Sequence, residues 1–239
     1  MKKTTILLSL ILVLFKGFTQ SDKTWYNLAV KGGFGNSIFF TSNYSGDANV
    51  QYNYFTPSYF WGFDGGVVFA GGFGLGLEYS FQKGGQEYEI NGIGGKYTKV
   101  LQVYTDDVLF LIRAFDEGFG FFEIGPKLSM VKKINDANSN NGNLIANTID
   151  NYSDKYISIM FGFGIPAYQG DLFDFTIGLR AGYSIMNIMK DEEYPINDLF
   201  FNKVTANYPS YSTTNPFFAQ ITFRFDWHIG IKGSKNKWD

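Results

Sequence analysis

The sequence contains no cysteine, so no disulfide staples the fold and no cysteine carries a lipid anchor. It has a single histidine, His228, and only six prolines. Net charge is −2, with neither sign in excess, which argues against nucleic acid as a partner. Beyond the N-terminal stretch no apolar run is long enough to form a membrane-spanning helix. An exported chain without disulfides or helical anchors needs some other source of stability.

That export is expected from the opening MKKTTILLSLILVLFKGFTQ, with Lys2 and Lys3 ahead of an apolar run from Ile6 to Phe15. The run is too short to span a bilayer and Lys16 ends it, which marks residues 1–20 as a secretory signal peptide. Residues 21–239 then form one domain.

What the sequence has in abundance is glycine (28), phenylalanine (26) and tyrosine (16). The aromatics alternate with small or polar residues, as strands require. In FDFTIGLRAGYSI, Phe173, Phe175, Ile177, Leu179, Ala181, Tyr183 and Ile185 oppose Asp174, Thr176, Gly178, Arg180, Gly182 and Ser184. FFAQITFRFDWHIGI (217–231) and FGLGLEYSFQ (73–82) behave the same way. Eight such segments are readable: 25–38, 58–70, 73–83, 99–115, 119–132, 155–169, 172–189 and 216–231. Short links at 70–72, 116–118 and 170–172 alternate with long polar ones at 41–57, 84–98, 133–154 and 190–215. This rhythm predicts an all-β fold, an up-and-down antiparallel barrel of eight strands with tight turns at one end and long loops at the other.

Periodicity alone does not say which face is outside. A soluble lipocalin-like barrel would put its Phe and Leu inside. Here the polar face is rich in glycine with isolated charges of both signs, which suits the crowded interior of a small barrel. The other face is large, apolar and nearly free of charge, an aggregation hazard in water. We therefore expect a transmembrane barrel with lipid outside. Its lumen would hold a structural charge network of Lys31, Asp64, Glu78, Asp107, Arg113, Glu123, Lys127, Asp174, Arg180, Arg224, Asp226 and His228. With an even strand count both termini and the short turns face the periplasm. Phe69, Phe73, Phe119, Phe173 and Trp227 would form the aromatic belt there, and Tyr59, Trp61 and Tyr183 the opposite one.

The segments DDVLFLIRAF (106–115), GFFEIGPKLSMV (120–131) and FTIGLRAGYSIMNI (175–188) carry a family likeness. The chain resembles the PorT-like outer-membrane β-barrel proteins of Gram-negative bacteria, with Leu109 where the family usually has proline and Ala181 where it has an aromatic. The resemblance implies a bacterial outer-membrane address. It implies no reaction; some relatives assist protein secretion.

Candidate chemistry is sparse. His228 shares its face with Asp226, which permits an acid–base pair, but the bland reading is a lumen side chain hydrogen-bonded to a carboxylate. DANSNNGN (136–143) has calcium-like spacing at Asp136, Asn138 and Asn140, but Gly142 comes one place late and no acidic residue closes the loop. GGFGLG (71–76) precedes a strand, so no helix N-terminus can take a phosphate. No cofactor or metal is expected. The expected role is structural or binding, with outer-membrane lipid as solvent and an extracellular or envelope protein partner contacted through the four long loops. Export accessory and membrane enzyme are the alternatives from other classes.

Overall fold

Alternating strands of this kind need hydrogen-bond partners on both edges, and in a small sheet only closure supplies them. The computed structural model describes residues 24–41, 50–69, 72–92, 95–116, 120–138, 146–147, 152–170, 173–188 and 214–229. These contain β1 (Trp25–Thr41), β2 (Val50–Asn53), β3 (Pro57–Phe69), β4 (Phe73–Gly92) and β5 (Gly95–Asp116). They continue with β6 (Gly120–Asn138), β7 (Ala146–Asn147), β8 (Lys155–Gln169), β9 (Phe173–Ser184) and β10 (Thr214–Ile229).

Eight of these strands close a ring. Its order is β1, β3, β4, β5, β6, β8, β9, β10 and back to β1, every pair antiparallel. Closure is carried by β1, where Lys31 lies opposite Gly62 on one side and Arg224 on the other. The start of β1 at Trp25 and the end of β10 at Ile229 fall at the same end of the barrel as the tight turns. Two of those turns use glycine with positive φ, Gly72 at 76° and Gly120 at 92°, a region where a side chain would be strained.

The long connections differ from the sequence expectation. Residues 84–92 and 95–98 are not loop but a continuation of β4 and β5, paired from Gly84↔Val103 to Gly92↔Gly95. Likewise 133–138 extends β6, β7 pairs with it, and β2 inside the 41–57 segment pairs with the upper part of β4. The alternation persists here but with a polar outer face. Tyr88 and Val50 are buried while Glu87 and Gln51 look outward, so the apolar signal that marks the strands below is missing. At the other end of the expected 172–189 segment, β9 stops at Ser184. Residues 190–213, the expected signal peptide at 1–20 and Phe119 lie outside the described residues. So does most of the 136–143 stretch, of which 136–138 belong to β6.

Candidate functional site

The barrel is inverted relative to a water-soluble one. Outward positions carry Phe34, Trp61, Phe63, Leu77, Phe110, Phe161, Phe163, Leu179 and Trp227, all exposed, while charged residues are buried inside. All eleven predicted lumen residues other than His228 are buried: Lys31, Asp64, Glu78, Asp107, Arg113, Glu123, Lys127, Asp174, Arg180, Arg224 and Asp226. His228 sits in β10 opposite Asn27, and its side chain lies outside the described residues.

The centre of the lumen is a square of alternating charge. Lys31 Nζ donates to Glu78 Oε2 at 3.2 Å and to Glu123 Oε1 at 2.7 Å. Arg180 closes the figure, donating to both Glu78 oxygens at 2.7 and 2.6 Å and to Glu123 Oε1 at 2.9 Å. The four residues come from β1, β4, β6 and β9, every second strand of the ring. Alternate strands place their inward side chains at one level, and eight strands leave an interior only wide enough for side chains to meet across it.

The strands between add a second tier. Arg113 of β5 makes a bidentate pair with Asp64 of β3, one contact being 3.0 Å, and its Nε donates to Glu123 Oε2 at 3.2 Å. Arg224 of β10 approaches Asp64 from the other side at 3.4 Å and Asp226 at 3.2 Å, and Asn27 donates to Asp226 at 3.4 Å. Nearer the long-loop end Lys127 donates to Asp107 at 3.0 Å and Gln82 at 2.8 Å, with the Phe218 ring 4.2 Å from its ammonium. Asp174 lies at the short-turn end, opposite Asp226 in register, and accepts the Gly170 N–H at 3.2 Å. Five cations (Lys31, Arg113, Lys127, Arg180, Arg224) thus meet five carboxylates (Asp64, Glu78, Asp107, Glu123, Asp226), and the plug is neutral. A buried ion needs such pairing, because an isolated one costs several kcal/mol of lost hydration.

Glycine makes room for the long side chains. A Cβ on Gly76 would stand 2.6 Å from Arg113 Nη1, and one on Gly162 would stand 2.9 Å from the Glu123 side chain. Apolar layers close both ends of the charged zone. Val68, Phe115 and Phe121 pack at the short-turn end. Phe39, Leu101, Val103, Val131, Ile134, Tyr152, Tyr156 and Ile188 pack beneath the long-loop mouth. Leu109, Leu111, Met160 and Phe218 form a further apolar cluster on the inner wall. Chemically this is a cross-linked neutral core rather than an open passage. Among the described residues no group of three or more His, Asp or Glu is placed to hold a metal ion.

The aromatic residues of the two expected belts occupy the two ends of the ring, with Phe119 outside the described residues. Phe69 and Phe73 stack at 6.1 Å beside the first short turn, and Trp227 pairs with Phe173 at the same end. Tyr59, Trp61 and Tyr183 lie exposed towards the long-loop end. Ten residues of β3 separate Tyr59 from Phe69, which at usual strand rise and tilt is ~25 Å along the barrel axis, the height of a bilayer's apolar band.

Lys99 and Asn27 are interior polar groups that the sequence reading does not single out. The signal for Lys99 was available: it has the same odd parity on β5 as Asp107 and Arg113. No protein-family model and no curated protein sequence matches the chain. Among solved structures it is similar to Neisserial surface protein A (9% identity, 85% of this chain and 98% of that one, TM-score 0.40). It is also similar to the outer membrane protein OprG from Pseudomonas aeruginosa (10% identity, 89% and 99%, TM-score 0.39). A third likeness is to the outer membrane protein AlkL in DMPC bilayers (7% identity, 92% and 95%, TM-score 0.26).

Proposed function

We propose that this protein is an integral outer-membrane barrel of the PorT-like kind whose lumen conducts nothing. Its role is structural or binding, exercised through the wall and the long-loop end. One observation carries the reading: a closed ring with an apolar outside and a neutral, ion-paired inside. Water would favour the opposite arrangement, whereas lipid rewards it, because every backbone group is satisfied within the ring and every charge is shielded from the bilayer. The family likeness of 106–131 and 175–188 supports the same address.

The long-loop end supplies a rigid surface for binding. Asn36 donates to the Tyr54 carbonyl at 2.6 Å and accepts the Thr56 N–H at 2.6 Å, while Gln86 donates to the Asn53 carbonyl at 2.7 Å. This lattice pins the 53–56 turn and leaves Tyr54 and Phe55 standing out at 71% and 68% exposure. Adjacent exposed aromatics on a fixed turn suit an envelope or extracellular protein partner.

The test is fractionation combined with migration on a detergent gel before and after heating. The expected result is recovery in the outer membrane and faster migration of the unheated protein. Recovery as soluble periplasmic protein would overturn the reading.

A further inference from the structure

On the outer wall, starting from Tyr59 of the long-loop belt, four side chains follow one register row across four strands. Tyr59 of β3 is the register partner of Lys83 of β4, Lys83 that of Tyr104 of β5, and Tyr104 that of Lys133 of β6. Lys83 Nζ lies 5.7 Å from the Tyr59 ring and 5.7 Å from the Tyr104 ring, and Lys133 Nζ lies 6.0 Å from the Tyr104 ring. Two ammonium groups therefore flank the Tyr104 ring. Among the described residues neither has a carboxylate within ion-pair distance.

The row exists because the sheet is irregular there. Pairing of β5 with β6 shifts between Tyr104 and Thr105, which leaves Lys132 unpaired in a bulge and lets both Lys132 and Lys133 face outward. A regular strand would send one of them into the lumen. The nearby carboxylate, Asp106, is occupied: Lys132 reaches it at 3.3 Å and the Tyr79 hydroxyl donates to it at 3.1 Å. Three lysines against one aspartate leave the patch at +2. Towards the long-loop ends of β1, β9 and β10 the outer wall instead carries Phe40, Tyr183 and Phe217, with the Phe40 ring against the other two. One side of the rim is thus cationic, and directly below it lies the apolar band, beginning with Trp61 stacked on Phe81 at 4.6 Å.

We infer that this row binds the phosphate of an anionic lipid headgroup in the leaflet nearest the long loops. The inference rests on the membrane reading above. An anion at this height keeps its acyl chains against Trp61, Phe63 and Phe81, and its phosphate meets ammonium groups held over the Tyr59 and Tyr104 rings. Charge and apolar surface are then matched in one molecule. A soluble anion would use only the upper half of the surface.

The test uses Trp25→Phe, Trp227→Phe and Trp238→Phe in the full chain, leaving Trp61 as the reporter one row below the lysines. The protein is placed in phosphatidylcholine vesicles, and quenching by chain-brominated phosphatidic acid is compared with quenching by brominated phosphatidylcholine. The expected result is a preference of about fivefold or more for phosphatidic acid, the effect of roughly one lysine at an anionic surface. Lys83→Gln, Lys132→Gln and Lys133→Gln together abolish it, and arginine at the same three positions keeps it. Heat-modifiable migration of each variant shows that the barrel has formed. Equal quenching by the two lipids in the unsubstituted protein, or a preference that survives the glutamine variant, overturns the inference and leaves the membrane reading standing. Loss of the preference on adding millimolar inorganic phosphate also overturns it, because the site then takes a soluble anion. Absence of quenching by either lipid overturns both.

Discussion

Glu78 and Arg180 meet across the full diameter of the barrel. Their strands, β4 and β9, are four places apart in a ring of eight, yet two guanidinium nitrogens lie 2.7 and 2.6 Å from the two carboxylate oxygens. Lys31 and Glu123 make the other diameter, β1 to β6, at 2.7 Å. Two crossed diameters joined at their ends fix the lumen from all four sides. Adjacent-strand pairs could slip together, whereas pairs across the ring cannot slip without breaking closure.

Removing one corner should therefore cost more than removing an ordinary ion pair. Lys31→Met leaves Glu78 and Glu123 facing each other with Arg180 as their common cation, and should destabilise the barrel by about 3–5 kcal/mol. Denaturant unfolding in lipid vesicles, followed by tryptophan fluorescence, measures this. Lys31→Met with Glu123→Gln should cost clearly less than the sum of the two single changes, because both act on one network. Strict additivity would refute the square.

Two glycines of the same wall should differ sharply. A Cβ on Gly35 would lie 2.0 Å from the Ala219 carbonyl oxygen, whereas one on Gly65 would find its first neighbour at 3.8 Å. Gly35→Ala should cost ~1–3 kcal/mol through forced backbone displacement. Gly65→Ala should stay within ~0.5 kcal/mol of the parent. Unfolding midpoints of the pair, measured side by side, decide the matter; equal values would mean that β1 and β10 are not so closely apposed.

An arginine on the apolar wall should be costly in proportion to its depth. Leu179 is exposed near mid-strand of β9, and Leu179→Arg should lose ~2–4 kcal/mol of folding free energy in lipid vesicles. Tyr59→Arg, at the long-loop belt, should lose ~0–1 kcal/mol. In a water-soluble barrel both would be nearly neutral, so equal small effects would argue against lipid outside.

Planar bilayers should show no steady single-channel current from the purified protein. Charged and apolar layers succeed one another along the lumen, from Val68, Phe115 and Phe121 up to Phe39, Val103 and Ile134. A large, ion-selective conductance in the unsubstituted protein would contradict a filled lumen.

Alternation is a local property, so the sequence was enough to place the eight ring strands and the side on which each residue falls. The parity of Asp174, Arg180 and Arg224 against Phe173, Leu179 and Phe225 sorts inside from outside without any knowledge of partners. The abundance of inward glycine also shows a crowded interior before any contact is seen. Other features depend on the closed ring. Nothing in the spacing of Lys31, Glu78, Glu123 and Arg180 shows that they meet, because their proximity follows from strand order and stagger. The extensions of β4, β5 and β6 past the apolar band escaped notice because a polar outer face erases the signal that marks the strands below. The bulge at Lys132, which turns two consecutive lysines outward, is a property of the pairing and not of either strand. Sequence determined the faces and the polarity of this barrel, since a side chain's direction along a strand depends only on its own chain. Tertiary structure decided which charges neutralise each other, since that depends on where the ring closes.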